Sequence, residues 1–117
     1  MAKTAITVNG PEPNNIFPAM ILGSAAAACG DDVVIFFNPG GSPTMLKGAL
    51  EKIKAKGMPD IVELYESIRI LGGRMIACEL CVGAKDIKPE DLREGVEIMG
   101  ATSFLSEIND AQLTFSF

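Results

Sequence analysis

The chain contains no histidine and no tryptophan, and only one tyrosine, among its 117 residues. Because it has no imidazole, Ser-His-Asp and Cys-His catalysis, His-ligated metals and His-ligated haem are all excluded. A single tyrosine without tryptophan also argues against an aromatic surface that stacks nucleic-acid bases. Positive charge is in the minority as well, since the net charge is −5, which disfavours binding to nucleic acid or anionic lipid along the whole chain. We therefore expect neither a nucleic-acid partner nor a membrane partner.

Cysteine is scarce too, with Cys29, Cys78 and Cys81 as the whole set. An odd number of thiols always leaves one over, so no disulfide framework is expected, and a domain of this size does not need one. A structural zinc site needs a fourth ligand that the cysteines do not supply, so we expect no metal, and no motif asks for another cofactor. Free thiols are typical of the reducing cytoplasm, which is the location that we predict. Cys29, at the end of an alanine-rich segment, is expected to be an ordinary core residue.

The longest stretch without charge covers residues 13–30. Its apolar part, residues 16–29, spans about 21 Å as a helix, whereas the hydrocarbon core of a bilayer is about 30 Å thick. The stretch also contains Pro18 and Gly23, and it leads directly into a strand-like run at residues 33–37. We therefore predict a buried helix rather than a signal peptide or a membrane span.

Strand-like and helix-like patterns alternate along the chain. Apolar runs and alternating residues predict five strands, at residues 4–8, 32–37, 74–77, 96–99 and 113–117. Helical spacing and capping residues predict helices at residues 15–29, 43–56, 61–71, 89–95 and 101–108, with a turn-rich piece at 79–87. Such alternation favours βαβ units. The sequence thus predicts one α/β domain over residues 1–117, with three α/β/α layers, a mostly parallel sheet of about five strands, and helices on both faces.

The functional crevice of an open parallel sheet lies beyond the carboxyl ends of its strands. A glycine-containing loop at residues 38–42 follows the second predicted strand and leads into a predicted helix, an arrangement that suits a small anion. The loop lacks both the G-x-G-x-x-G pattern and the P-loop lysine, which argues against a dinucleotide. The residues predicted to bind a small anion or to shape the pocket are Asn9, Asn38, Gly40, Gly41 and Ser42. The alternative is an ordinary βα turn.

A Cys-x-x-Cys motif, Cys78-Glu79-Leu80-Cys81, stands at the end of the third predicted strand. Backbone N–H groups that follow a strand end favour a thiolate, and Arg74 or Lys85 could add positive charge. The two residues are therefore predicted to be catalytic, with Cys78 as the reactive thiol and Cys81 near enough, three residues on, to resolve an adduct. The alternative is a pair of small buried hydrophobic residues.

Several segments together resemble the DsrE/DsrF-like family, whose members are sometimes labelled peroxiredoxin-like. They are the apolar run at residues 34–37 before the glycine loop, the Ala77-Cys78 turn, the Ile87-Lys88-Pro89-Glu90-Asp91-Leu92 segment with Gly95-Val96-Glu97, and the final Leu113-Thr114-Phe115. The most specific element is the Ala-Cys-x-x-Cys turn followed by Ile-Lys-Pro-Glu-Asp-Leu. The chain departs from the family pattern at Cys81, where close relatives often have serine, and in lacking a methionine-rich turn.

The resemblance implies a cytoplasmic sulfur-handling protein that forms trimers or hexamers and carries sulfane sulfur as a persulfide on Cys78. Its chemistry is thiol exchange with a donor or acceptor protein, as in a sulfur carrier or a sulfurtransferase. The alternatives are a non-catalytic subunit of a hetero-oligomer, or a module that binds a small ligand or a nucleotide through the 38–42 loop. The high apolar fraction, 48%, also favours a homo-oligomer, with Phe17, Tyr65 and Phe117 as candidate contacts.

Overall fold

Parallel β-strands joined by helical connections form one five-stranded sheet in the computed structural model, which describes residues 2–117. The elements in chain order are β1 (Lys3–Val8), α1 (Pro13–Ala28), β2 (Asp32–Phe37), α2 (Ile61–Ile70), β3 (Arg74–Cys78), α3 (Glu79–Ala84), β4 (Glu97–Met99), α4 (Ala101–Glu107) and β5 (Leu113–Ser116). The strand order is β4-β3-β2-β1-β5, and every neighbouring pair is parallel. This confirms the predicted α/β fold.

The two faces of the sheet carry cores of different size. Side chains alternate along a strand, so Val33, Ile35 and Phe37 of β2 face one way, into the larger core with α1 and α2. The intervening β2 residues face the other way, into a smaller core formed by Val34, Phe36, Ile76, Cys78, Cys81 and Phe104. Phe104 comes from α4, and its ring stacks on Phe36 with centroids 4.3 Å apart. The two predicted site cysteines therefore lie in the smaller core, together with Phe104 of the short helix α4.

The uncharged segment forms α1 and packs on the sheet as predicted. Gly23 permits this contact, because a Cβ atom there would lie 3.0 Å from Ile68 and 3.1 Å from Ile35. Across residues 2–117, no helix combines the length and the apolar character needed to cross a membrane. The prediction that Cys29 is a core residue is wrong, because α1 ends at Ala28 and Cys29 lies exposed in the turn that follows.

Two predicted helices are wrong, and the same backbone pairing explains both. Residues 43–56 form two short 3-10 turns, Ser42–Met45 and Leu50–Lys52, separated by Gly48 with a φ of +80°. Residues 89–95 form only the 3-10 turn Pro89–Asp91. The two segments run alongside each other, with hydrogen bonds from the Lys47 N–H to the Asp91 carbonyl (2.9 Å) and from the Arg93 N–H to the Met45 carbonyl (2.8 Å). This long-range pairing takes the place of the helical hydrogen bonds.

Local signals elsewhere predict the helices better. The Asp60 carboxylate accepts hydrogen bonds from the N–H groups of Val62 (2.8 Å) and Glu63 (3.4 Å), so it caps α2 as its sequence position predicts. The piece at residues 79–87 was predicted to be turn-rich, but its first half is helical, as α3. The Cys78-Glu79-Leu80-Cys81 motif therefore continues from a strand directly into a helix.

An arginine at the start of β3 connects the sheet to α4. Both Arg74 Nε and Nη2 donate to the Glu97 carboxylate at 2.9 Å, and Nη1 donates to Glu107 at 2.9 Å. The hydrogen bonds from Arg74 hold the pKa of Glu97 below its ordinary value, and those from both carboxylates raise the pKa of Arg74. Because the folded state binds the Glu97 proton less tightly than the unfolded chain, this pair stabilises the fold above the ordinary glutamate pKa.

Acid should therefore lower the free energy of unfolding, in part through the protonation of Glu97. We expect the stabilisation to disappear as the pH falls from about 5 through the lowered pKa of Glu97, and Glu97→Gln to flatten that part of the profile. The effect should be about 1 kcal/mol or less, because the pair is partly exposed to solvent. Urea unfolding at a series of pH values measures it, with Glu90→Gln, on an exposed turn, as the matched control. An unchanged pH profile in Glu97→Gln would contradict the assignment.

Candidate functional site

The carboxyl ends of three neighbouring strands bring the predicted site segments together. β1 and β2 pair with Val8 opposite Phe37, so Asn9 and Asn38 come next to each other, and the Asn38 amide donates to the Asn9 side-chain oxygen. β3 lies on the other side of β2, with Ala77 opposite Phe37. Cys78 therefore follows at the same edge of the sheet as the 38–42 loop.

The glycines of this loop allow two chain segments to touch. A Cβ atom on Gly40 would lie 2.1 Å from the Asn9 carbonyl oxygen, and one on Gly41 would lie 2.5 Å from the Val8 carbonyl oxygen. The Asn38 N–H also donates to the Val8 carbonyl at 2.9 Å. The loop therefore lies directly against the end of β1, which only glycine permits at these positions.

The hydroxyl groups of the loop are used inside it. Ser42 is fully buried, and its hydroxyl donates to the carbonyl oxygens of Phe37 (2.8 Å) and Asn38 (3.2 Å). The Thr44 hydroxyl donates to the Gly41 carbonyl at 2.6 Å. Ser42 thus shapes the loop. For Asn9, Asn38, Gly40, Gly41 and Ser42, contact with a ligand stays a prediction.

Cys78 is the last residue of β3 and the N-cap residue of α3. Its side chain belongs to the smaller core, opposite Met99 of β4, and only 5% of the residue is exposed. No hydrogen bond of its Sγ atom is present within residues 2–117. The thiol is therefore held by packing alone, at the strand end where this architecture places chemistry.

Cys81 is held in a different way. It lies one helical turn beyond Cys78, is 1% exposed, and donates from Sγ to the Pro39 carbonyl oxygen at 3.2 Å. Lys85, one turn further along, donates to the same oxygen at 3.1 Å. One carbonyl of the 38–42 loop thus binds both a thiol and an ammonium group of the α3 segment. This hydrogen bond distinguishes Cys81 from Cys78, whose Sγ atom makes none within residues 2–117.

The two cations suggested by the sequence differ in their position. Arg74 lies at the amino end of β3, four residues before Cys78, and its guanidinium is bound to Glu97 and Glu107. A strand of that length separates the two ends by about 13 Å, so Arg74 does not act at the thiol. Lys85 does lie near Cys81, because both bind the Pro39 carbonyl oxygen. Sequence spacing alone does not show this contact, because Pro39 and Lys85 are far apart along the chain.

Comparison with known proteins gives the site a family context. Residues 38–115, about two thirds of the chain, match the model of the DsrE/DsrF/DrsH-like family. The chain belongs to this family. The matched part includes the 38–42 loop, both site cysteines and Lys85, so the resemblance inferred from the sequence is confirmed.

Two curated relatives of this family member differ in how much of it they cover. The uncharacterized protein MJ0760 of Methanocaldococcus jannaschii is 32% identical over 75 residues, which are 64% of this chain and 27% of that protein. The chain thus spans about a quarter of that relative's length. The sulfur carrier protein DsrE2 of Allochromatium vinosum is 26% identical over an alignment of 151 positions that covers 95% of each protein.

Two solved structures share the fold of this DsrE/DsrF/DrsH-like chain. The crystal structure of the ychN protein from E. coli superposes with a TM-score of 0.80 at 21% identity and covers all of both chains. The protein of unknown function MTH1491 from Methanobacterium thermoautotrophicum superposes with a TM-score of 0.71 at 14% identity, over 98% of this chain and 97% of that one. At these identities the likeness concerns the fold.

Proposed function

We propose that this protein is a sulfur carrier that holds sulfane sulfur as a persulfide on Cys78 and passes it on in sulfur relay or sulfur metabolism. The observation that carries the proposal is the position of Cys78 at the carboxyl end of β3 in a member of the DsrE/DsrF/DrsH-like family. Its thiol is packed and has no hydrogen-bond partner among the residues that the structure describes. A relative that covers nearly the whole chain is named a sulfur carrier protein, which supports the same role.

The chemistry needs only thiol exchange. The Cys78 thiolate attacks the terminal sulfur of a donor persulfide, R–S–SH, so that a new S–S bond forms on Cys78 while the donor S–S bond breaks and R–S⁻ leaves. An acceptor thiolate then attacks the terminal sulfur of the Cys78 persulfide in the same way. Neither step changes the total oxidation state, so no external oxidant is required, and the absence of histidine is no obstacle.

The contacts of the two cysteines support different roles for them in this proposal. The Cys81 Sγ atom is bound to the Pro39 carbonyl, whereas the Cys78 Sγ atom makes no hydrogen bond within residues 2–117, so we assign the first attack to Cys78. Lys85 adds positive charge beside the pair. When the Cys81 proton is lost, its thiolate can attack the inner sulfur of the Cys78 persulfide. That step forms a Cys78–Cys81 disulfide and releases HS⁻.

Intact-mass analysis after exposure to polysulfide tests the proposal. The protein should carry the substitution Cys29→Ser, because Cys29 is exposed and would react on its own account. We expect a gain of one sulfur atom per chain, reversed by a thiol reductant and located on the peptide that contains Cys78. A variant that neither gains sulfur nor loses the mass of two hydrogens, as the Cys78–Cys81 disulfide requires, would contradict the proposed function.

The protein would act in the cytoplasm as a single domain over residues 1–117. The reducing conditions there would keep its three thiols reduced between cycles. The donor and the acceptor would be proteins with a thiol or persulfide of their own.

A homo-oligomer, a trimer or hexamer, is the expected assembly. Two of the contact residues suggested by the sequence are wrong, because Tyr65 is fully buried and Phe17 is 4% exposed in the core of one chain. Large apolar side chains that do reach the surface include Ile70 (81% exposed), Leu80 (76%) and Leu105 (61%).

Light scattering at micromolar concentration should give a multiple of 12.4 kDa. Ile70→Lys and Leu80→Lys, made singly, should each lower the mass of the assembly, because a charged side chain would disrupt a contact between subunits. A parent protein that is a monomer at this concentration would refute the proposed assembly.

A further inference from the structure

A polar cavity of about 250 Å³ lies beside α2, on the face of the sheet opposite the site cysteines. Three separate segments line it: the chain near the second 3-10 turn, helix α2, and the loop before β4. The lining residues are Lys47, Gly48, Glu51, Tyr65, Glu66, Arg69, Arg93 and Glu94. None of them takes part in the thiol chemistry proposed above.

A fully buried tyrosine, Tyr65, is among the residues that line this cavity. Tyr65 is 0% exposed, and its hydroxyl has no hydrogen-bond partner within residues 2–117. Arg93 Nε is buried beside it and also has none in that part of the chain. Burial raises the pKa of Tyr65, so the hydroxyl stays protonated and is able to donate. Arg93 acts as a donor toward the hydroxyl oxygen and opposes this rise in pKa, so the group that lacks a partner is the hydroxyl proton. Because buried polar groups are normally hydrogen-bonded, this proton and Arg93 Nε point to an acceptor in the cavity.

Two guanidinium groups are held at the same tyrosine. The Cζ atom of Arg93 lies 5.0 Å from the centre of the Tyr65 ring, and that of Arg69 lies 6.0 Å from it. Gly95 makes room for Arg69, since a Cβ atom on Gly95 would lie 2.8 Å from Arg69 Nη2. Both guanidinium groups thus lie at the Tyr65 side of the cavity.

The carboxylates of the cavity leave much of this positive charge available. Glu51 accepts from Arg93 Nη1 at 2.6 Å and leaves Nε free. The contact between Arg69 and Glu66 is long, 3.4 Å, and therefore weak. Lys47 lines the cavity and takes part in no ion pair within residues 2–117. Glu94 lines the cavity as well, so a bound anion would face three carboxylates and would have to displace the weak Arg69–Glu66 contact.

We propose that this cavity binds a small divalent oxyanion of the phosphate or sulfate class. The Tyr65 hydroxyl and Arg93 Nε donate to its oxygen atoms, while Arg69 and Lys47 supply the positive charge. Three glutamates also line the cavity, so the affinity should be modest, on the order of 1 mM. This site is separate from Cys78 and does not depend on the proposed sulfur chemistry.

Thermal unfolding in sodium phosphate, sulfate and thiosulfate, each against sodium chloride of equal ionic strength, tests the site. The parent protein should be stabilised by the divalent oxyanions beyond chloride, because a ligand that binds only the folded state raises its stability. Comparing phosphate with sulfate and thiosulfate shows which of these oxyanions the cavity binds most tightly. Tyr65→Phe and Lys47→Gln should each weaken the apparent affinity about tenfold, since each removes a donor to a charged ligand. Lys52→Gln, a lysine outside the cavity, should leave it unchanged.

The outcomes separate this proposal from a purely structural role for Tyr65. A Tyr65→Phe variant that is stable in chloride but no longer responds to phosphate supports the site. An equal response in Tyr65→Phe and the parent overturns it, as does the absence of any response beyond chloride. If Tyr65→Phe does not fold, the comparison of Lys47→Gln with Lys52→Gln decides in the same way.

Discussion

In a Cys29→Ser background, the further change Cys78→Ser is expected to abolish the uptake of sulfane sulfur from polysulfide. Serine fills nearly the same space in the smaller core but lacks the sulfur nucleophile, so the fold should persist while the chemistry is lost. The change Cys81→Ser in the same background should retain uptake of one sulfur atom. Its adduct should last longer, because the thiol that would displace sulfide from the Cys78 persulfide is gone. Intact mass recorded over time after polysulfide treatment measures both effects.

The matched comparison guards against a loss of uptake that merely reflects unfolding. Both variants replace a buried cysteine of the same small core by serine, Cys78 at 5% exposure and Cys81 at 1%. Their unfolding midpoints should therefore be similar, while their sulfur uptake differs completely. Uptake by the Cys78→Ser variant at the parent's rate would show that the reactive thiol is elsewhere.

The second large effect concerns the loop that contacts β1. Gly40→Ala should destabilise the protein by about 3 kcal/mol, because the new methyl group would lie 2.1 Å from the Asn9 carbonyl oxygen and the main chain must move apart. Gly83→Ala is the matched control, since a Cβ atom in that part of α3 has open space around it. There the higher helix propensity of alanine should stabilise by about 0.5–1 kcal/mol. Urea unfolding of both variants gives the comparison.

The same pair reports on the link between this loop and the cysteines. Displacing the 38–42 loop moves the Pro39 carbonyl, which binds both Cys81 and Lys85. Alkylation of Cys81 should therefore be faster in Gly40→Ala than in Gly83→Ala, with Cys29 replaced in each. Equal stability of the two variants would mean that the loop yields to the methyl group without cost, and that the close contact with β1 is not needed.

The strands were predictable because their signals are local. The continuous apolar run of β2 ends at the residues predicted, as expected for a strand covered on both faces. The Asp60 cap and the small-residue helix α1 are local signals as well. Once the strands are parallel and neighbouring, Asn9, the 38–42 loop and Cys78 must share one edge of the sheet. That much of the candidate site follows from the order of elements along the chain.

The features that sequence reasoning missed depend on contacts between distant segments. The apolar spacing at residues 43–56 suits a helix, but pairing with the backbone near residue 92 gives 3-10 turns instead. The position of Tyr65 on α2 predicts that it faces an apolar surface. The same spacing fits a tyrosine buried within one chain and a tyrosine buried between two chains, so it does not distinguish them. The shared Pro39 carbonyl and the paired guanidinium groups around Tyr65 are likewise products of tertiary packing.

The strand order has a consequence for how the protein folds. β1 lies between β2 and β5, and its pairing with β5 joins Thr4 to Leu113, nearly the full length of the chain apart. Closing such a distant contact is slow compared with the neighbouring crossovers. A nascent chain that has formed β1 to β4 therefore exposes one open edge of a central strand until β5 arrives. During that interval the β1 edge is where another nascent chain can pair wrongly, so misassembly should rise with the local concentration of ribosome-bound chains.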